Sequence, residues 1–318
     1  MRNFENKSIF FIGDSITEGG GFIQYLRAHF AATNRNIYLH NKGIPGGRMD
    51  MVQYSLDEDL HSMRPDYAVV ALGVNDLRIM LYDGAEPLTQ ELIDRRQGFV
   101  DGYERSCKWL LAELKNRGIT PIVCSPFCVN ENIIERADIE TVVDNEDKKD
   151  IGTCFYTKKT FQAINGGLKK MRDVVCAIAE ELNVEFWDMY SETLANATGD
   201  CFTEDGIHYT QKGYELLAKG MLKYMYGEQL LSAPITPNIQ ELVKAEFDER
   251  AYYFIKYIVL HERRENFHTA DDVIQEMKNW LAENGNIDGV TKERELSFFR
   301  YAPQPLQNQQ KLIEKIRG

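Results

Sequence analysis

Short, nearly unbroken apolar runs alternate with stretches of helical periodicity from the N-terminus to about residue 228, and this rhythm restricts the fold more than any other feature of the chain. The apolar runs fall at residues 8–12, 37–41, 67–72, 119–125 and 184–190, and the helical patterns at 22–33, 49–63, 103–116, 160–182 and 211–226. Strands separated by helices of this length build βαβ units, and such units require a parallel sheet. A strand that is apolar at almost every position has both faces covered. The expected fold class is therefore α/β: a three-layer α/β/α sandwich around five parallel strands in the flavodoxin-like order 2-1-3-4-5.

Two segments break the rhythm. Residues 128–156 carry many acidic and few core-forming side chains and read as an insertion. Beyond Pro234 and Pro237 no strand pattern returns. Residues 238–267 read as helix, Thr269 as the N-cap of a helix over 270–283 closed by Asn284 and Gly285, and 307–316 as a further helix. The expected organisation is a catalytic domain over 1–228 and a helical C-terminal domain or extension over 235–318, the latter a candidate homo-oligomer contact. A chain of 318 residues has room for both.

Composition narrows the function. Asp and Glu number 49 against 37 Lys and Arg, a formal charge of −12. That charge repels phosphate backbones and anionic headgroups, so nucleic acid and membrane insertion are not expected partners. No apolar run reaches the length of a membrane span or of a secretory leader core, which points to a cytoplasmic protein. The six cysteines (107, 124, 128, 154, 176 and 201) show neither CxxC nor zinc-ligand spacing, so buried reduced thiols and no metal are expected.

Four short segments carry the chemistry, and all four fall after predicted strands. Gly13-Asp14-Ser15 follows the first strand; Ser15 is a candidate nucleophile, although Ser15-x-x-Glu18 also fits a helix capping box. Asn41-Lys42-Gly43-Ile44-Pro45-Gly46-Gly47 follows the second strand, where glycine lets backbone N–H groups approach a ligand. Gly73-Val74-Asn75-Asp76 follows the third, placing a side-chain amide where it can donate to an oxyanion. Asp205-Gly206-Ile207-His208 puts a carboxylate within reach of an imidazole, the arrangement that fixes a general base. Glu204 is a less well-spaced rival to Asp205, and Asp14 reads as a structural acceptor. Each motif alone also fits an ordinary turn or cap; the ordered set of four does not.

The set resembles the SGNH (GDSL-type) hydrolase family over residues 7–226: GDSITEG at 13–19, NKGIPG at 41–46, GVND at 73–76 and DGIH at 205–208. The resemblance implies that Ser15 is the nucleophile, that Asp205 and His208 complete a triad, and that the N–H groups of Ser15 and Gly46 with the Asn75 amide form an oxyanion hole. Gly43 is the alternative to Gly46. It implies an esterase acting without metal or cofactor, with a carbohydrate-type acetyl ester or other small polar ester as substrate. Arg48, Arg78, Phe127 and Tyr209 flank the motifs and are candidate substrate contacts. A lysophospholipase or thioesterase, an acyltransferase using the same triad, and a binding module on a decayed hydrolase fold are the alternatives.

Overall fold

A computed structural model describes residues 3–82, 88–131, 158–262, 269–284 and 311–316. The predicted rhythm is present. Strand β1 (Ser8–Gly13) is followed by the short helix α1 (Ser15–Glu18), helix α2 (Gly21–Ala32), and β2 (Tyr38–Gly43). A 3-10 turn (Met49–Tyr54) and α3 (Leu56–Ser62) then lead to β3 (Tyr67–Ala71). Next come α4 (Gln90–Asn116), β4 (Thr120–Cys124), α5 (Lys158–Leu182), β5 (Glu185–Trp187), α6 (Met189–Asn196) and α7 (Gln211–Tyr226). Helices α8 (Pro237–Glu262) and α9 (Ala270–Asn284) follow, and residues 311–316 are helical.

The five strands form one sheet in the order β2-β1-β3-β4-β5, and helices flank it in the α/β/α arrangement expected. β1 and β2 run parallel in a register that aligns Ser8 with Tyr38 and Gly13 with Gly43, so both strands end at the same level. β4 and β5 are likewise parallel, with Ile122 opposite Glu185. Ile9, Phe10, Phe11 and Ile12 are all buried, the condition for a strand covered on both faces. Each such side chain contributes about 1.5–3 kcal/mol by leaving water.

The described residues pack as two compact units. One contains residues 3–47, 51–69 and the described residues from 231 on; the other contains 48–50 and the described part of 70–230. In the first, α1, α2 and α8 pack against β2, and α9 packs against α8. In the second, α4 and α5 pack against each other and on β4, and α6 packs on α7.

Four sequence expectations need correction. The helix expected over 103–116 begins at Gln90, because the Thr89 hydroxyl caps it by accepting the Leu92 N–H at 3.2 Å. The polar helix expected over 49–63 divides into the 3-10 turn and α3. The fifth strand stops at Trp187 because Asp188 caps α6, accepting the Ser191 N–H at 3.2 Å. Residues 128–131, assigned to the insertion, include the buried Cys128, Val129 and Asn130; the Asn165 side chain holds both the N–H and the C=O of Val129 at 2.9 Å. The rest of the expected insertion, 132–156, lies outside the described residues, as do 263–267 and 307–310 of the expected C-terminal helices. Among the described residues, no helix is long and apolar enough to cross a membrane.

Candidate active site

At the carboxyl end of β1 the chain turns directly into α1. Asp14 is the cap: its Oδ1 accepts the Ile16 N–H at 3.0 Å, and the residue is buried. Ser15 is therefore the first residue of the helix, half-buried, and the capping role that its sequence context allowed belongs to its neighbour. Asn41, at the end of β2, binds this turn to the next loop. Its Nδ2 donates to the Glu18 carbonyl and its Oδ1 accepts the Gly43 N–H, both at 2.9 Å.

The two candidate glycines of that loop do different work. A Cβ on Gly43 would lie 2.2 Å from the Glu18 nitrogen, so Gly43 is required for close packing of β2 on α1. Gly46 is exposed and has φ +64°, a left-handed conformation natural to glycine. The loop is closed on β1 and on itself: the Ile44 N–H donates to the Gly13 carbonyl at 2.9 Å, and the Gly47 N–H to the Ile44 carbonyl at 2.8 Å.

In the second unit, Asn75 occupies a tight turn after β3. The Leu77 N–H donates to the Gly73 carbonyl at 3.0 Å and the Arg78 N–H to the Asn75 carbonyl at 3.2 Å. Gly73 has φ +146° and a Cβ there would lie 2.4 Å from Pro126, so the turn admits no side chain at its start. Asp76 is buried and accepts the Met49 N–H at 2.9 Å, which makes it an anchor for the adjoining segment.

Asp205 and His208 are in direct contact. Asp205 Oδ2 lies 2.6 Å from His208 Nδ1. Oδ1 accepts three more hydrogen bonds: from the Thr203 hydroxyl at 2.7 Å, the Ile207 N–H at 2.8 Å and the His208 N–H at 2.9 Å. Partial burial pushes this carboxyl up, but the bonds from His208, Thr203 and the two backbone N–H groups outweigh it and hold Asp205 well below the usual carboxylate range. A carboxylate only accepts, so the proton between the two residues sits on Nδ1, and Nε2 of the neutral ring carries the lone pair of a base. Glu204, the rival acid, is exposed as Asp205 is, and it is Asp205 that meets the His208 ring.

The loop is held from beneath. The Asn130 N–H donates to the Gly206 carbonyl at 2.8 Å, and the Thr203 N–H to the His208 carbonyl at 2.8 Å. The Tyr209 hydroxyl donates to the Cys128 carbonyl at 2.7 Å, and its ring packs edge-on against Phe127. Both rings are buried, and the Tyr209 hydroxyl ties the end of the Asp205–His208 loop to Cys128. Burial also raises the Tyr209 phenol well above its ordinary value, which suits a fixed donor. Arg48 is engaged by Asp50 at 3.1 Å, and Arg78, at φ +57°, lies over the Phe99 ring. Thr203, Asn130 and Cys128 were not singled out from the sequence; only Thr203, two residues before Asp205, had a local pattern that could have drawn attention.

Among the described residues, no cluster of His, Cys, Asp or Glu is arranged to hold a metal ion. The five described cysteines are free thiols; burial raises Cys128 to about 11 and Cys107 to about 12, which leaves them protonated packing groups.

A parallel α/β sheet with a serine after its first strand and an aspartate-locked imidazole on a later loop is an arrangement found among α/β acyl hydrolases. Within that class, the chain belongs to the GDSL-like lipase/acylhydrolase family, whose model matches residues 11–216. The chain is thus a carboxylic ester hydrolase of the SGNH/GDSL type. It is similar to a curated acetylxylan esterase from Geobacillus stearothermophilus, 24% identical over 243 residues that cover 70% of this chain and 95% of that one. Its fold is similar to the solved structure of an acetylxylan esterase from that organism: TM-score 0.52 at 22% identity, covering 73% of this chain and all of the other. Three further structures, at TM-score 0.53 and the same coverage, are catalytic mutants of that esterase. They replace a serine, an aspartate and a histidine by alanine, the aspartate three positions before the histidine.

Proposed function

We propose that this protein is a serine esterase that removes small acyl groups, acetyl above all, from a carbohydrate or similar polar alcohol through an acyl-enzyme. The observation that carries the reading is the Asp205–His208 pair, whose hydrogen bond leaves Nε2 as the basic nitrogen. In this mechanism Nε2 takes the proton of the Ser15 hydroxyl as Ser15 Oγ attacks the ester carbonyl. The resulting oxyanion is met by the N–H groups of Ser15 and Gly46 and the Asn75 amide. Collapse of the tetrahedral species breaks the bond to the alcohol, which leaves with the proton from His208. Water, deprotonated by the same nitrogen, then releases the acid and regenerates Ser15.

The ordered motifs, the family and the acetylxylan esterases to which the chain is similar support an acetyl ester of a sugar as the substrate class. The five free thiols support a reducing, cytoplasmic setting. Transfer of the acyl group to an acceptor alcohol would use the same residues, and product analysis with an added acceptor distinguishes it from hydrolysis. A lysophospholipase or thioesterase would instead prefer long acyl chains.

The test is hydrolysis of p-nitrophenyl esters of increasing acyl length, and of acetylated xylo-oligosaccharides, by the wild type and Ser15→Ala. The expected result is a steep fall in kcat/KM beyond about four carbons, and a loss of about 10⁴-fold or more in the variant. Undiminished turnover by Ser15→Ala would remove the proposed nucleophile.

A further inference from the structure

Helix α8 lies outside residues 11–216 matched by the family model, yet it touches the segments that carry Ser15 and Gly46. Residues 243, 246, 250 and 253–254 recur at the spacing of one helix face. Val243 is 3.1 Å from the position that a Cβ on Gly20 would take, at the junction of α1 and α2. Glu246 is fully buried and accepts the Arg27 guanidinium at 2.6 and 3.0 Å and the Asn41 backbone N–H at 3.1 Å. One turn on, Glu249 meets Lys42 at 3.2 Å, and Arg250 meets Asp59 at 2.8 Å. Tyr253 and Phe254 pack with Ile44 and Met51, and the Phe254 ring lies 3.5 Å from the position a Cβ on Gly46 would take.

Among the described residues β2 is an edge strand, so its outward N–H groups have no strand there to pair with. At Asn41 a helix carboxylate supplies the missing acceptor. The same residue's side chain joins Glu18, the last residue of the Ser15 helix, to Gly43. We infer that α8 fixes the Asn41–Gly47 loop, and through it the Gly46 N–H relative to Ser15, with Glu246 as the positioning residue. This inference rests on the oxyanion role assigned to Gly46 above. A positioning defect weakens interactions made only in the transition state and leaves ground-state binding intact. A displacement of about 1 Å at such a site costs about 10²-fold.

The experiment compares Glu246→Gln, Phe254→Leu and the exposed control Lys244→Ala in the full chain, each checked for folding by circular dichroism and thermal midpoint. With p-nitrophenyl acetate, the first two lower kcat, Glu246→Gln by roughly 10- to 100-fold, with KM within about twofold. The inhibition constant of 1,1,1-trifluoroacetone, whose tetrahedral adduct mimics the oxyanion, rises by the same factor as kcat/KM falls. Lys244→Ala changes neither. Phe254→Leu decides the matter if Glu246→Gln does not fold. Hydrogen exchange of the 41–47 peptide separates the two readings. Faster exchange in the variants of a protein with no Ser15-dependent turnover upholds the role of α8 and overturns the esterase reading. Folded variants with unchanged kinetics, inhibition and exchange overturn the role of α8.

Discussion

At the scale of single residues, the candidate site divides into groups proposed to react and groups that hold them. Asp205 has four hydrogen-bond donors around it, of which the His208 ring is one. Asp205→Asn keeps the loop's shape but reverses the tautomer preference of the ring. It is expected to lower kcat by about 10⁴-fold with KM little changed, measured with p-nitrophenyl acetate. Asn75→Ala removes one of the proposed oxyanion donors and is expected to lower kcat by about 10²- to 10³-fold, in the same assay. A different prediction concerns stability. Burial, then the charges of Lys42 and Arg27, lower the His40 pKa to about 3. Between its unfolded value of about 6.5 and 3 the unfolded chain binds a proton that the folded chain refuses, so stability falls as pH drops through that window. About 2 kcal/mol is expected to be lost from this group between pH 7 and pH 5. Urea unfolding at the two pH values, with and without His40→Leu, checks it: the variant shows the shallower pH dependence. The residues proposed to react were legible in the sequence because each sits in a short motif that a strand end makes meaningful. Asn130 and the Cys128 carbonyl were not, since a hydrogen bond to a loop from about 80 residues away leaves no local pattern; Thr203, two residues from Asp205, had a local signal that was passed over.

At the scale of elements, strand ends and helix caps place the loops. Asp14 caps α1 and so sets Ser15 at its first position. Gly43 lets β2 end against α1; with the Glu18 nitrogen 2.2 Å from a would-be Cβ, Gly43→Ala must shift backbone. Overpacking of this kind costs about 1–3 kcal/mol. The expected outcome is a lower denaturant midpoint and a loss of activity larger than the loss of stability explains at 25 °C. Helices α2, α5 and α7 were readable from apolar periodicity, and α7 begins and ends where the sequence placed it. The start of α4 was not readable, because its first turns are largely polar and exposed, and only the Thr89 cap marks them. The face of α8 was hidden for a related reason. Its buried stripe includes Glu246, Glu249 and Arg250, so burial and apolarity part company.

At the scale of the whole molecule, the family match ends at residue 216, but the packing of the first unit does not end with it. Arg27 is buried and pairs with Glu246, while also donating to the Leu39 carbonyl; Lys42 and Asp59 share Glu249 and Arg250. Removing one side of a buried ion pair costs about 3–5 kcal/mol, and a chain cut after Gly227 removes three such partners at once. Such a chain is expected to fail to accumulate in folded form, judged by circular dichroism and gel filtration beside the full-length protein. The α/β sandwich was legible from the alternation of apolar runs, which is a property of the whole sheet. The partnership of β2 with α8 was not, because some 200 residues separate the charges that meet. The most direct test of the central claim is covalent labelling by a fluorophosphonate, with the adduct located by peptide mass spectrometry. The account predicts one adduct per chain, on Ser15, forming in step with loss of esterase activity and slowed by about 10³-fold or more in His208→Ala. An adduct on another residue, or an unchanged labelling rate in His208→Ala, would contradict it.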